Sequence, residues 1–274
     1  MDLSLILVTY NSGKHITGLL ASIKKSKDKL KKEIIIIDNA STDNSAQLAA
    51  NHPLKPTIIR SPQNLGFSKA VNQAIKKSSG QYLMLLNPDT RLTGSCLQTL
   101  HHFAVSTSSL GAVAPRLLDL NGKPQASVFY FPTILNALHF YFLNQKKRFG
   151  KYLPPNKITK VDTAVMAAFL FPRSTIERVG LLDERFFLYY EDIEFCQRLK
   201  KAKLPVYYYP QAKIKHAHGA SGSFKSHFQS PLLKSAQIYH GPLYSFLLNS
   251  VLWAGQKWQK LSHKLKQEKH LKFS

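Results

Sequence analysis

The first third of the chain alternates between short apolar runs and amphipathic stretches. The apolar runs are LSLILVT at 3–9, EIIIID at 33–38, TIIRS at 57–61 and QYLMLLN at 81–87. Continuous aliphatic runs are typical of strands that are buried on both faces of a sheet. Between the first two runs, Ile16, Leu19, Leu20 and Ile23 recur at helical spacing. Strands and helices that alternate over such short connections predict right-handed crossovers and a parallel α/β sheet flanked by helices.

The rest of the chain is less regular. GAVAPRLLDL predicts a further strand, which a turn at Asn121-Gly122 follows. Another strand is expected at Val165–Phe171, and TILNALHFYFL predicts a helix that leads into a basic surface stretch. From about residue 230 onwards the chain is predicted to be helical and strongly basic.

The net charge is unusual. In 274 residues, 38 Lys and Arg against 15 Asp and Glu give a formal net charge of +23. An excess of this size implies a polyanionic neighbour, such as nucleic acid, an anionic membrane face or a phosphorylated substrate. Cys96 and Cys196 suggest no disulfide framework and lie far from any metal-ligand spacing. Because the N-terminus lacks a basic segment and no apolar run reaches the length of a membrane span, we expect a cytoplasmic protein.

Each early strand is followed by a short polar cluster. The clusters are Thr9-Tyr10-Asn11-Ser12, Asp38-Asn39, Asn64 with Gly66, and Asn87-Pro88-Asp89. In an open parallel sheet the carboxyl ends of the strands share one edge, and ligands bind in the crevice there. A carboxylate that is buried alone is costly, so Asp38 and Asp89 should each have a partner. We expect a ligand donor to partner one of them and a metal ion the other.

Some of these polar residues also have a structural interpretation. Ser41 is a candidate N-cap of the helix that follows it, with Asp43 in the first turn. For Asp89 a plain turn is less favoured, because Pro88 fixes φ and aims the next carboxylate rigidly.

A second acidic cluster lies in FFLYYEDIEFCQRL, where an aromatic run leads into Glu191, Asp192 and Glu194. The structural interpretation is that acids in the first turn of a helix interact favourably with its dipole. A carboxylate that is partly desolvated by aromatic neighbours also has a raised pKa, which suits a general base.

Two histidines, His216 and His218, alternate at the end of a strand-like segment and precede Gly219 and Gly222. Histidines in such a loop favour contact with a metal or a phosphate group. Since alternate residues of a strand point to opposite faces, we expect only one of the two to be the ligand.

Several of these motifs, taken in order, resemble those of the family 2 glycosyltransferases, which have the GT-A fold. The similarity is to the rhamnosyltransferase-like branch that builds bacterial surface polysaccharides, and it covers roughly residues 3 to 222. The matching blocks are VTYNS, IIDNASTDNS, NLGFSKAVNQAI, LMLLNPDT, DERFFLYYEDIEFCQRL and HAHGAS.

The resemblance implies a mostly parallel, Rossmann-like sheet in a GT-A domain over residues 1–225, followed by a basic helical tail over 226–274. Within the domain, a nucleotide-sugar half would occupy about 1–115 and an acceptor half about 116–225. The implied reaction is an inverting transfer of a sugar, with rhamnose as the leading candidate, from a nucleoside diphosphate sugar. The acceptor would be a hydroxyl of a glycan or of a lipid-linked molecule.

The resemblance also implies roles for individual residues. Asp89 would hold Mg²⁺ or Mn²⁺ on the diphosphate, and His216 lies where the histidine of the family approaches the diphosphate or the metal. Asp192 would be the general base, with Glu191 shaping the acceptor side. Asn87 stands where the family has the first aspartate of its metal motif. The nucleotide-sugar site would contain Thr9, Tyr10, Asn11, Asp38, Asn64, Gly66, Asn72 and Asn87.

The tail carries an apolar stripe at four-three spacing, surrounded by lysines. The stripe consists of Leu247, Val251, Ala254, Trp258, Leu261 and Leu265, and the lysines are Lys257, Lys260, Lys264, Lys266, Lys269 and Lys272. A basic amphipathic helix with tryptophan predicts binding to an anionic membrane surface, here the inner face of the plasma membrane. The alternative is that the stripe packs on the catalytic domain or on a second subunit, which would make a homodimer.

Two other functions fit parts of the sequence. A nucleotidyltransferase would carry a glycine-rich, basic loop after the first strand, and YNSGKH matches that pattern poorly. A nucleic-acid-binding protein would explain the net charge, but it predicts basic and aromatic residues interleaved on one module, which the sequence lacks. Sugar transfer is therefore the favoured function, and nucleic acid is not an expected partner.

Overall fold

The computed structural model describes residues 1–143, 145, 149–217 and 229–272, with the backbone alone for 229, 230 and 263–272. The strands of the described chain are β1 (Leu3–Thr9), β2 (Lys32–Asp38), β3 (Thr57–Arg60), β4 (Tyr82–Leu86), β5 (Thr90–Leu92), β6 (Ala112–Leu118), β7 (Val128–Phe129), β8 (Lys151–Tyr152), β9 (Thr159–Val161), β10 (Thr163–Ala164), β11 (Ala168–Pro172) and β12 (Val206–His216). The helices are α1 (Gly13–Lys25), α2 (Ser45–Ala50), α3 (Phe67–Lys77), α4 (Cys96–Ser106), α5 (Ile134–Phe142), α6 (Arg173–Val179), α7 (Glu191–Lys201), α8 (Gln229–His240) and α9 (Pro242–Lys272).

The first half of the large sheet is parallel, as the alternating pattern predicts. The strands β3, β2, β1 and β4 are neighbours in that order, and β1 runs parallel to both β2 and β4. Successive residues of β1 are buried on opposite faces. Leu5 and Leu7 belong to the core cluster that contains Ile16 of α1, whereas Ile6 belongs to the cluster that contains Val71 of α3. Burial on both faces explains why the run is continuously apolar.

The second half of the large sheet is mixed. β11 lies between β4 and β6 and runs antiparallel to both, while β12 is parallel to β6 and antiparallel to β5 and β9. The prediction of one strand over Val165–Phe171 is correct only from Ala168, because residues 165–167 form a turn that separates β10 from β11. The result is a mostly parallel sheet with one reversed strand near its middle.

A small sheet of β10, β7 and β8 lies beside the large one, and its strand β10 packs against α7. The first four strands of the large sheet all come from the segment before residue 115. The division into a nucleotide-sugar half and an acceptor half stays a prediction.

The tail is helical, as predicted, and it divides into α8 and α9 at Gly241, whose φ is 78°. α9 packs along α5, and the side chain of Tyr141 fills the space that a Cβ on Gly255 would need. At the start of α5, the Ile134 N–H donates to the hydroxyl of Tyr244 at 3.0 Å. A narrow face of α9 therefore holds the tail on the rest of the chain.

Most of the predicted apolar stripe of the tail lies outside the face that makes this contact. Leu247, Trp258 and Leu261 are 46%, 52% and 52% exposed, whereas Leu248, on the packed side of α9, is 4% exposed. The alternative that the stripe packs on the rest of the chain therefore fails at Leu247 and Leu261 but holds at Trp258, whose ring centre lies 6.4 Å from that of Phe142 in α5. Within the described residues, no helix combines the length and the apolar character that a membrane span needs.

Candidate active site

The carboxyl ends of β1, β2 and β4 lie at one edge of the sheet, as the sequence predicts. Thr9 and Asp38 are register partners at the ends of β1 and β2, and the Thr9 hydroxyl donates to Asp38 Oδ1 at 3.2 Å. Both residues are buried. Asn87 and Asp89 follow β4, the other neighbour of β1. The predicted polar clusters thus come together around the end of β1.

The loops that follow β1 and β2 are bonded to each other. Asn11 adopts the left-handed conformation, with φ 49°, and its N–H donates to Ser41 Oγ at 3.0 Å. The side-chain oxygen of Asn11 accepts from the Thr42 N–H at 2.8 Å. At the start of α1, the Gly13 N–H donates to Asp43 Oδ2 at 2.9 Å. These bonds fix the two loops as a single unit at the sheet edge.

The predicted N-cap role of Ser41 is therefore wrong, and so is the place of Asp43 in the first turn. α2 begins only at Ser45. The side chains of Ser41 and Asp43 instead accept from N–H groups of the loop after β1, which a sharp turn leaves without partners in regular structure. Tyr10 in that loop is 48% exposed, so its ring is accessible to a ligand.

Asn39 is a positioning residue that the sequence analysis did not single out. Its side-chain amide donates to Asn64 Oδ1 at 2.8 Å and to the Gly66 carbonyl at 3.3 Å, while its Oδ1 accepts from the Leu65 N–H at 2.8 Å. Asn64 Oδ1 also accepts from the Gly66 N–H at 3.0 Å. The loop of residues 64–66 is thereby fixed next to Asp38. The sequence signal was present, because Asn39 directly follows a predicted strand-end aspartate.

Asn72 is buried beneath the site and is not part of its surface. It is 1% exposed, and its amide donates to the Leu182 carbonyl at 2.8 Å and to Glu184 Oε1 at 3.1 Å. Its Oδ1 accepts from the Leu182 N–H at 3.0 Å. Because both ends of the amide are engaged with the segment 182–184, the prediction that Asn72 binds the nucleotide sugar needs correction. Asn72 links α3 to that segment.

Gly66 is the point where the loop of residues 64–66 meets the aromatic run before α7. Its φ is 80°, and a Cβ there would lie 2.6 Å from the carbonyl oxygen of Phe187. The next N–H, that of Phe67, donates to the same carbonyl at 2.7 Å. A residue with a side chain would meet both an unfavourable backbone conformation and a steric clash, so glycine is needed here.

Asp89 and His216 form a pair beyond the end of β4. His216 Nε2 lies 3.5 Å from Asp89 Oδ1, and the two residues are 8% and 6% exposed. The pairing of β12 with β5 places His216 opposite Thr90, and the Ala217 N–H donates to the Asp89 carbonyl at 3.0 Å. Two segments that are far apart in sequence are thus joined at this pair. His218, the other predicted histidine, lies outside the described residues.

The chemistry of this pair fits a divalent cation. The Gln125 amide donates to the His216 carbonyl at 2.9 Å, which leaves Gln125 Oε1 facing His216 Nδ1 at 3.1 Å. Nδ1 then carries the ring proton, and the Nε2 lone pair is directed towards Asp89. A lone pair and a carboxylate oxygen at this distance repel each other unless a proton or a metal cation lies between them, and imidazole and carboxylate are both ligands that divalent cations accept. Among the described residues they belong to no set of three or more Asp, Glu, His or Cys side chains.

The acidic cluster begins α7, and an unusual turn precedes it. Tyr189 and Tyr190 both have φ 69°, in the left-handed region that non-glycine residues rarely adopt. Glu191 and Asp192 are the first two residues of the helix. Glu194 forms an ion pair with Arg198 one turn later, at 2.7 Å. The predicted dipole interaction therefore exists, and the conformation of the turn decides where the first two carboxylates point.

Glu191 and Asp192 differ in their surroundings. Glu191 is 8% exposed, and its Oε2 makes no hydrogen bond within the described part of the chain. Burial, and secondly the charge of Asp192, raise the pKa of Glu191. Asp192 is partly exposed, and its Oδ1 accepts from the Ile193 N–H at 2.9 Å. Burial raises the pKa of Asp192 as well, although that hydrogen bond and the charge of Lys151 act in the opposite direction. A partly exposed carboxylate with a raised pKa suits a general base.

The turn between β10 and β11 connects this cluster to the end of β4. The Asn87 N–H donates to the carbonyl of Ala167 in that turn at 2.9 Å. On its other side the turn follows β10, which packs against α7. One short segment, made of β10 and the turn after it, therefore contacts both Asn87 and the helix that carries Asp192.

A parallel half, joined through a reversed strand to a mixed half that carries buried acids, is the GT-A arrangement of glycosyltransferases. The chain belongs to glycosyl transferase family 2, whose sequence profile matches residues 4–174. Family membership decides in favour of sugar transfer over the nucleotidyltransferase and the nucleic-acid-binding protein that the sequence also suggested.

Comparisons with individual proteins agree with the family. The chain is 26% identical over 271 residues to the N-acetylglucosaminyl-diphospho-decaprenol L-rhamnosyltransferase of Mycobacterium tuberculosis, covering 89% of this chain and 83% of that protein. It is 27% identical over 216 residues to the low-salt glycan biosynthesis hexosyltransferase Agl10 of Haloferax volcanii, covering 75% of this chain and 64% of that one. The rhamnosyltransferase-like resemblance is thereby confirmed.

A solved structure supports the same fold. The mannosyltransferase PcManGT of Pyrobaculum calidifontis, in complex with GDP-Man and Mn²⁺, superposes with a TM-score of 0.64. The match covers 100% of this chain and 81% of that one at 15% sequence identity. At this identity the likeness concerns the fold, and it confirms the GT-A arrangement.

Proposed function

We propose that this protein is an inverting, divalent-cation-dependent glycosyltransferase that moves a sugar from a nucleoside diphosphate sugar to a hydroxyl of a lipid-linked or glycan acceptor. The observation that carries the proposal is the Asp89–His216 pair, which lies beside the nucleoside loops and has the donor set of a cation site. Two names support it: the mycobacterial relative acts on a diphospho-decaprenol, and the PcManGT structure contains GDP-Man with Mn²⁺.

The chain supplies groups for each part of such a reaction. Asp38, held by Thr9, would accept a hydrogen bond from the base or the ribose of the donor. Asp89 and His216 would hold Mg²⁺ or Mn²⁺ against the diphosphate. When bound, the cation neutralises the negative charge that builds on the departing diphosphate. Asp192 would remove the proton of the attacking hydroxyl from the opposite side, which gives inversion at the anomeric carbon.

Rhamnose is the leading candidate for the transferred sugar, because the mycobacterial relative is named an L-rhamnosyltransferase. The melting temperature of the protein, measured against a panel of nucleotide sugars with Mn²⁺, tests this proposal. We expect one nucleoside diphosphate sugar, with rhamnose as its sugar, to raise the melting temperature, and EDTA to cancel most of the shift. A panel in which no nucleotide sugar stabilises the protein, with or without metal, would contradict the proposed function.

We also propose that the outer face of α9 binds an anionic membrane, where a lipid-linked acceptor would lie. This outer face consists of Leu243, Phe246, Leu247, Trp253, Trp258 and Leu261, all of them at least 46% exposed. Lys257 and Lys260 lie among them, and the Lys257 ammonium lies 5.7 Å from the centre of the Trp253 ring. Exposed aromatics mixed with lysines on one helix face match an anionic bilayer surface in both polarity and charge.

A double variant of the outer face tests the membrane proposal. Phe246→Ser with Trp253→Ser should lower binding to phosphatidylglycerol-containing liposomes about tenfold or more, because burying each such side chain contributes roughly 1.5–3 kcal/mol. The matched control is Val105→Ser with Leu120→Ser, two exposed apolar residues outside the tail that should leave liposome binding unchanged. Liposome sedimentation reports the binding. Unchanged sedimentation, together with a shift from dimer to monomer, would assign the outer face to a second subunit instead.

A further inference from the structure

The left-handed turn at Tyr189 and Tyr190 is not held by its own segment alone. The Glu194 N–H donates to the Tyr190 carbonyl at 2.8 Å, as the first turn of α7 requires. Two consecutive non-glycine residues in this conformation persist only where their surroundings enforce it. The following two residues carry the carboxylates of the site, so whatever enforces the turn also sets the direction of Glu191 and Asp192.

The elements that enclose the turn come from the tail. Ser235 of α8 is 2% exposed, and its hydroxyl donates to the Leu188 carbonyl at 2.9 Å. The ring of Tyr239 lies 5.4 Å from the ring of Tyr190 at an angle of 48°. The ring of His240 meets Tyr190 edge-on, at 5.9 Å and 80°. One face of α8 thus contacts the backbone and the side chains that lead into the catalytic helix.

α8 is itself fixed by the beginning of α9. His240 stacks on Tyr244 with ring centres 4.8 Å apart and planes 16° apart. The Ser245 hydroxyl donates to the Ala236 carbonyl at 3.0 Å, which joins the two helices across Gly241. Through Tyr244 the pair is attached to α5, as described above. The contacts form a continuous path from the body of the chain through the tail to the turn.

We infer that α8 is a part of the active site, in which Ser235, Tyr239 and His240 are positioning residues that hold the Tyr189–Tyr190 turn and so aim Asp192 at the acceptor hydroxyl. The inference rests on the proposed function, because it needs Asp192 to be the base. The inference gives the tail a second role. α8 completes the catalytic centre, while the outer face of α9 stays free to bind another surface.

The test is a set of variants at Tyr239, assayed in the full-length protein. Tyr239→Leu removes the ring and should lower kcat on the order of 10- to 100-fold, because a small misplacement of a catalytic group is costly. The KM for the donor should stay within about twofold, since α8 contacts the turn before α7, whereas Thr9 and Asp38 lie at the ends of β1 and β2. Tyr239→Phe keeps the ring and should restore kcat. The control Val105→Ala shortens an exposed apolar residue of α4, outside the tail and the site, and should leave kcat unchanged.

A double-mutant cycle separates this inference from the proposed function. If Tyr239 acts only through Asp192, then Tyr239→Leu should cause no further loss in the residual rate of Asp192→Asn. Additive losses, or a normal kcat for a folded Tyr239→Leu protein, would overturn the positioning role and leave the base assignment intact. Full turnover by Asp192→Asn would instead refute the base itself.

A milder variant covers the case in which Tyr239→Leu does not fold. Ser235→Ala removes only the hydrogen bond to the Leu188 carbonyl, and we expect it to lower kcat about threefold to tenfold with an unchanged donor KM. A melting temperature within a few degrees of the native protein shows that the fold is intact. Native kcat in a folded Ser235→Ala protein, together with an unfolded Tyr239→Leu, would show that α8 serves stability alone.

Discussion

Asp192→Asn should lower kcat by about 10³-fold or more, while the affinity for the nucleotide stays within twofold. General-base catalysis contributes typically 10²–10⁴-fold, and an amide of the same shape cannot accept the proton. The loops after β1 and β2, which would bind the nucleotide, share no hydrogen bond with Asp192 among the described residues. Donor binding should therefore be unaffected. Steady-state transfer assays with nucleotide titrations measure both quantities.

Glu194→Gln is the matched control for this variant. It removes a charge from the same first turn of α7, but Glu194 is engaged with Arg198 and not with the acceptor side. The pair is bidentate and mostly buried, so the variant should lose some stability, but it removes no group from the acceptor side and activity should stay within about threefold of the native value. Equal losses in Glu194→Gln and Asp192→Asn would show that the turn needs its total negative charge and that Asp192 is not a specific base.

The pH dependence of the native enzyme has a defined sign. A base acts only when it is deprotonated, and burial raises the pKa of Asp192 above the ordinary aspartate value. Activity should therefore be complete above this raised pKa and be lost as pH falls through it, at a higher pH than an exposed aspartate would give. An acidic limb at the ordinary aspartate value would contradict a desolvated base.

The parallel half of the fold could be predicted from sequence because one physical rule covers it. A strand that is buried on both faces is apolar at nearly every position, as the residues of β1 show. Its polar residues therefore follow at the point where the strand ends. Asp38 and Asp89 were predicted at the sheet edge for this reason, and the structure places them there. The signal is local in both cases.

The rest of the site depends on contacts that are far apart in sequence. Gln125 and His216 come together because β12, which ends at His216, pairs with β6, and Gln125 is bonded to Leu117 of β6. No pattern near either residue indicates the other. The misassigned N-cap has a similar cause: Ser41 and Asp43 have cap-forming side chains, but Ser41 accepts from the Asn11 N–H, and Asp43 accepts from the Gly13 N–H as well as from the Ser45 N–H. Likewise, the hydrophobic spacing of α9 identified an apolar stripe without showing that Trp258 would meet α5 while Leu247 and Leu261 stay exposed.

The strained Tyr189–Tyr190 turn connects the tail to the acidic residues of α7, so one feature links two separate functions. The conformation of Tyr190 is unfavourable in isolation, so its neighbours must compensate, and those neighbours are in the tail, for which the sequence suggested a membrane surface, the catalytic domain or a second subunit as the partner. An enzyme whose acceptor lies in a bilayer gains from this arrangement. The helix pair that would meet the lipid is also the one that holds the catalytic turn.

Asp89→Ala should weaken the metal-dependent part of donor binding and lower kcat/KM by roughly 100-fold or more. Two protein ligands serve the cation site, and the variant leaves His216 alone. Nucleotide affinity measured in Mn²⁺ should fall to the value that the native protein shows in EDTA. Affinity measured in EDTA should be the same for both proteins, because Thr9 and Asp38 remain. Isothermal titration in the two buffers separates these contributions.

The control for this variant is Asp2→Ala, which removes a carboxylate beside the opposite end of β1, where its Oδ2 accepts from the Lys31 N–H. The change in net charge is the same, so any general effect of charge on an anionic ligand appears in both variants. A donor affinity that loses its metal dependence only in Asp89→Ala locates the cation at the end of β4. If Asp89→Ala kept its full response to Mn²⁺, His216 and the diphosphate would be sufficient as ligands. The aspartate at the exit of the fourth strand would then have a structural role, through its carbonyl bond to Ala217.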